Sequence, residues 1–200
     1  MSTIALLFVG SVLLVNGLVF LRRVDGIAAV PLNTLVGGFL ILAALLSLHT
    51  AEQNDAVTPA LLFATTGSVL FGITYLTVAG NSLLGGTGTA LGWYCAWATA
   101  IAAVLAGVGF SAGDALSGWQ WTAWAVLFLA FSLALNTGAE HLSAAAGVLA
   151  ILHAVTTTSV PALMSIMGVW EKFPVTVFAV IQLVVILTYA VLALRRTPAQ

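Results

Sequence analysis

The chain has 200 residues, 62% of them hydrophobic and 6% charged, with a formal net charge of −1 and a mean hydropathy of +1.16. Soluble proteins average about 45–50% apolar and about 25% charged residues, so this composition describes a polytopic membrane protein with no length to spare for a soluble domain. The charge balance offers no basic surface to nucleic acid, and a single cysteine, Cys95, permits neither an intrachain disulfide nor a thiolate metal site.

Seven spans are predicted, at residues 3–21, 32–48, 59–80, 91–110, 119–136, 142–169 and 173–194, forming one all-α transmembrane domain over 1–200. The first lacks a basic segment before it and is too long for a signal peptide, so it reads as a true span, stopped by Arg22, Arg23 and Asp25. Pro31 opens the second, with Gly37 and Gly38 as a close-approach site, and a polar loop at 49–58 follows it. The third is distinctive. Phe71, Thr74, Tyr75 and Val78 recur at helical spacing on one face, while Gly67 and Gly72 lie opposite, so one face can pack and the other can line something.

A glycine-rich turn, NSLLGGTG at 81–88, leads to the fourth span, and Asp114 marks the loop beyond it. The fifth opens with Trp119 and Trp121, read as interfacial anchors, and carries Trp124 about one turn deeper. The sixth contains His153, the run Thr156, Thr157, Thr158, Ser159, and Pro161, which predicts a polar, kinked middle. The seventh is uniformly apolar, reads as a lipid-facing cover, and ends at Arg195 and Arg196. Placing the N-terminus outside puts Arg22, Arg23, Arg195 and Arg196 inside against Lys172 outside, which fixes an odd number of spans with the C-terminus cytoplasmic.

Ionisable groups at membrane depth would signal a pump or a membrane enzyme, yet the carboxylates all fall at loops or helix ends. His153 is the exception, read as a neutral ring that either ties helices through Ser or Thr or stands beside a path. His141 and His153 are separated by roughly 18 Å of helix on different faces, so they cannot share a metal, and no cofactor is expected. The sole lysine, Lys172, lies in a loop, which excludes a retinal Schiff base. A passive path for a small neutral solute is the reading left, with a coupled transporter or a non-conducting structural or sensory bundle as alternatives.

The stretches LLFVGSVLLVNG (6–17), VLFGITYLTVAGN (69–81), LGWYC (91–95) and TTTSVPAL (156–163) resemble, in order and spacing, those of the AmiS/UreI family, the short-chain amide and urea channels of bacteria. The resemblance covers about 3–170 and leaves the seventh span beyond the six-helix urea channels. It implies a homohexamer in the bacterial inner membrane, each protomer with its own pore, supplying a cytoplasmic amidase or urease. The positions matching its constrictions are Leu6, Val9 and Leu13, Phe71 and Tyr75, and Trp124, Leu127 and Phe131; Asn16, Thr74, His153 and Thr157 are the candidates for polar pore stations or helix ties. His153 stands where urea channels carry a glutamate, Leu127 and Phe131 where they carry further tryptophans, and the external loop is short with one histidine. The amidase-linked branch is the better match, and opening by acid is not expected.

Overall fold

A computed structural model describes residues 2–195; Arg196, one of the four arginines that set the expected orientation, lies outside them. Among the described residues seven helices are long and apolar enough to cross a membrane: α1 (Thr3–Phe20), α2 (Val30–Gln53), α3 (Pro59–Leu84), α4 (Thr89–Ser111), α5 (Ala115–Thr137), α6 (Glu140–Ile166) and α7 (Val175–Leu194).

Their ends follow from local chemistry. The side chains of Ser2, Thr58 and Asp114 accept hydrogen bonds from the N–H groups of Ala5, Leu61 and Ser117, at 3.2, 3.2 and 3.0 Å, and so cap α1, α3 and α5. Gly85 and Gly138 close α3 and α5 in the left-handed conformation. At the end of α1 that role falls to a non-glycine residue. Arg22 has φ 55°, the N–H groups of Arg22 and Arg23 reach back to the carbonyls of Val19 and Leu18, and the Arg22 guanidinium pairs with Glu140 at 2.7 Å.

Helix association in lipid gains little from the hydrophobic effect and depends on close contact between small residues. The bundle is accordingly built from helix pairs that meet at glycine. On α1 and α6, a Cβ at Gly17 would stand 2.8 Å from the Gly147 carbonyl oxygen; on α2 and α3, a Cβ at Gly37 would stand 3.0 Å from that of Gly72. The α4–α5 hairpin is tight as well, and α7 lies against α5 and α6. With backbones drawn together in these pairs, α1, α3 and α5 meet across the middle of the bundle chiefly through side chains.

The expected boundaries need revision where the helices outrun the apolar runs. Helix α2 continues through His49 to Gln53 and α3 to Leu84, so the connecting turns are shorter than the sequence suggests. In α6 the irregularity expected near Pro161 takes the form of a change of pitch: Ala154–Ser159 winds as π-helix, the Val160 N–H donates to Val155, and the helix carries on to Ile166. The ring of proline crowds the preceding turn, and the wider turn makes room for it. Nor is α7 a plain cover. It buries Phe178, Gln182, Val185 and Tyr189 on the side facing α5 and α6.

The glycine contacts make a contrast that can be measured. Gly17→Ala should lower the thermal midpoint of the detergent-solubilised protein, by an overpacking cost of about 1–3 kcal/mol, because the new methyl group would meet the Gly147 carbonyl as well as the Ile151 side chain, and the backbone cannot yield. Gly38→Ala, with nothing within 4 Å of its Cβ, should leave the midpoint unchanged or slightly raised.

Candidate functional site

Two cavities open at opposite ends of the side-chain-filled middle. At the Ser2 end a cavity of about 190 Å³ is lined by Thr3 and Leu6 of α1, Phe63 of α3, Gln120 and Trp124 of α5 and Ser165 of α6. At the Arg22 end a cavity of about 480 Å³ is bordered by Arg22, Asn81, Ser82, Glu140 and Ser143. It leads to a smaller pocket of about 50 Å³, with which it shares Val19, Phe20, Val78, Leu91 and Leu135, and whose inner wall adds Asn16, Thr74, Tyr75, Cys95 and Phe131.

The stretches of α1, α3 and α5 between the two sets of lining residues form a closed throat. Val9, Leu13, Phe71, Leu127 and Phe128 are each no more than 1% exposed. Phe71 stands at its centre, with its ring 5.0 Å from that of Trp124 at 77°, 5.2 Å from Phe128 and 6.0 Å from Tyr75. Trp121 meets Trp124 edge-on at 4.9 Å, and Phe20 stacks on Phe131 at 5.1 Å below.

Polar groups along this axis are few, and all but one are engaged. Asn16 and Asn33 exchange two amide hydrogen bonds of 2.9 and 2.8 Å between α1 and α2. The Thr74 hydroxyl donates to the Leu70 carbonyl at 2.8 Å, and the Trp124 indole donates to the Thr157 hydroxyl at 3.1 Å. The Tyr75 hydroxyl, buried at the wall of the small pocket, has no protein partner among the described residues. Charge is confined to the mouth, where Arg22 and Glu140 form their largely exposed pair. An ion entering the throat would shed its water with nothing charged to replace it.

Of the sequence-predicted residues, the structure gathers Leu6, Val9, Leu13, Phe71, Tyr75, Trp124, Leu127 and Phe131 along one axis, with Asn16 and Thr74 at the small pocket. Thr157 lies behind Trp124 and serves as a helix tie. Two expectations are corrected. Trp121 is 4% exposed and packs on Phe63 and Trp124, because its face of α5 turns inward, so it is no interfacial anchor. His153 is fully buried, lines none of these cavities, and neither ring nitrogen meets a donor or acceptor among the described residues, so the tie through Ser or Thr is not made.

Four participants escaped the sequence reading. Phe128 and Gln120 lie one turn to either side of Trp124, Phe20 closes the stripe of α1, and Asn33 is the lone amide at the depth of Asn16 on the next span. Helical spacing alone could have found the first two. Pairing Asn16 with Asn33 requires knowing that α1 and α2 are antiparallel neighbours.

Comparison with known proteins places these features in a family. The sequence profile of the AmiS/UreI family transporters matches residues 1–169. A Mycolicibacterium smegmatis protein named as a transporter of amidate substrates is 36% identical over 90% of this chain and 84% of its own length. The Rhodococcus erythropolis transporter protein named AmiS2 is 34% identical over 87% of this chain and 83% of its own. The crystal structure of the urea channel of Helicobacter pylori superposes with a TM-score of 0.74 at 24% identity, covering 85% of this chain and 99% of that one. The closed state of that channel gives the same TM-score at 25% identity, with 85% and 100% covered.

Cys95 supplies an internal probe of the small pocket. A small neutral thiol reagent such as methyl methanethiosulfonate should react with it slowly, since it is 1% exposed, and the added group should then fill the pocket and block whatever passes there. Cys95→Ser should be insensitive. Complete labelling that leaves transport unchanged would take the pocket out of the path.

Proposed function

The chain belongs to the AmiS/UreI family of transporters, and from that premise we propose that it is a passive membrane channel for small neutral amides, short aliphatic amides and urea. The observation that carries this reading is the arrangement of two cavities on one axis, separated by an uncharged throat of aromatic and branched side chains. The substrates for which the relatives are named, amidates and urea, share a flat N–C–O unit. Such a unit fits between ring faces and edges, which offer large apolar contact at little entropic cost. The free Tyr75 hydroxyl can donate to its oxygen and restore part of the hydration lost on entry. Selectivity then arises from width and from the penalty on charge, the two means by which narrow pores generally discriminate.

In this reading Leu6, Val9, Leu13, Phe71, Tyr75, Trp124, Leu127 and Phe131 line the path, with Asn16 and Thr74 as polar stations at the small pocket. The N-terminus faces outward and the Arg22 cavity opens to the cytoplasm of a bacterial cell, across its inner membrane, where an amidase or urease would consume the solute. Six protomers, each with its own path, form the assembly. A passive channel is favoured over coupled transport because the path presents no carboxylate, amine or imidazole at membrane depth for a coupling proton or cation.

Proteoliposomes transferred into isosmotic acetamide or urea should swell rapidly, with rates that rise linearly with solute concentration and do not respond to a proton or sodium gradient. Saturation together with gradient dependence would indicate a coupled carrier, and rates equal to those of empty liposomes a non-conducting bundle. In the same assay Trp124→Ala should admit larger amides such as butyramide. A folded variant with an unchanged size limit would make Trp124 packing rather than constriction.

A further inference from the structure

Thr157 is held from two sides by residues one turn apart on α5. Its hydroxyl donates to the His153 carbonyl at 2.8 Å and accepts from the Trp124 indole at 3.1 Å, while its carbonyl accepts the side-chain amide of Gln120. That carbonyl lies in the π-wound stretch ahead of Pro161, which has no N–H to offer it in the α-helical register, and the Gln120 amide reaches it from α5. The same amide stands at the wall of the Ser2-end cavity beside Trp124.

We propose that Gln120 is a positioning residue for selectivity: by capping the Thr157 carbonyl that Pro161 leaves without its α-helical partner, it locks α5 to α6 and fixes the Trp124 ring that narrows the throat. This deepens the channel reading and rests on it. The lock acts at two points separated by one helical turn, the Gln120 amide and the Trp124 indole, so α5 can neither slide along Thr157 nor rotate its indole away while both hold. Loss of the amide leaves α5 tied to Thr157 by the Trp124 indole alone, and the ring gains alternative positions. The expected consequence is a wider and less uniform constriction, visible as selectivity for size rather than as loss of transport.

The test compares butyramide and acetamide permeability in proteoliposomes containing the whole chain. Gln120→Leu and Gln120→Met, which both remove the donor and of which Met nearly keeps the length of the side chain, should each raise the butyramide-to-acetamide ratio about three- to tenfold. Pro161→Ala restores a backbone N–H at residue 161, so adding it to either variant should return the ratio toward that of the native protein. Gln120 variants with an unchanged ratio overturn the proposal while leaving the channel reading intact, as does a ratio that rises equally with or without Pro161→Ala. If Gln120→Leu fails to reach the membrane, the Met variant decides by the same two criteria. Native vesicles that pass neither amide overturn the channel reading and this proposal with it.

Discussion

At membrane depth every backbone and side-chain polar group must find its partner inside the protein, and that requirement shapes this structure more than any other. Along the spans, serine and threonine hydroxyls turn back onto carbonyls of their own helix, as at Ser47, Thr65, Thr99, Thr122 and Thr188. In the π-wound stretch ahead of Pro161, the Thr157 carbonyl accepts from Gln120 of the neighbouring α5. The amides of Asn16 on α1 and Asn33 on α2 satisfy each other. Against that background the buried groups without a protein partner among the described residues stand out: Tyr75, His153, Gln182 and Tyr189. Only Tyr75 among them borders a cavity on the axis of the bundle, which is why the hydroxyl of α3 rather than the imidazole of α6 is read as the point of contact for a solute.

On the proposed path, packing and permeation are separated in the same way. Glycine contacts draw α1 to α6 and α2 to α3, and the hairpin of α4 and α5 closes the third pair. The faces turned away from these seams carry the bulky residues, and they converge on Phe71. A substitution in a seam therefore bears on stability, whereas one in the throat bears on width. That separation allows size selection to change without dismantling the bundle. The throat is shut in this structure, so passage needs side chains to move, and the edge-on ring contacts around Phe71 and Trp124 are of a kind that can reorganise without any buried charge being uncovered.

Much of this was legible in the sequence because hydropathy at membrane depth is a strong signal and helical spacing places residues on faces. The seven spans and the stripes of Val9 with Leu13, Phe71 with Tyr75, and Trp124 with Leu127 all follow from those two rules. What was missed depends on how helices face one another. Trp121 looked like an anchor because tryptophan near a helix end usually is one, yet the rotation of α5 turns it inward. His153 looked available as a tie between helices because a neutral imidazole can both donate and accept, but neither ring nitrogen meets a partner among the described residues. Gln182 lay unremarked in the most apolar span, and its complete burial shows that α7 has an inward face that composition could not reveal.

The central claim is that a neutral amide travels along the axis joining the two cavities, through the throat and past Tyr75. Selenourea is a neutral, planar analogue whose selenium scatters anomalously, and crystals of the protein soaked in it would locate the path directly. The account predicts anomalous density on that axis, beside the Trp124 ring at the Ser2 end and within reach of the Tyr75 hydroxyl at the small pocket. Density confined to the seam between α6 and α7, with none along the throat, would contradict it.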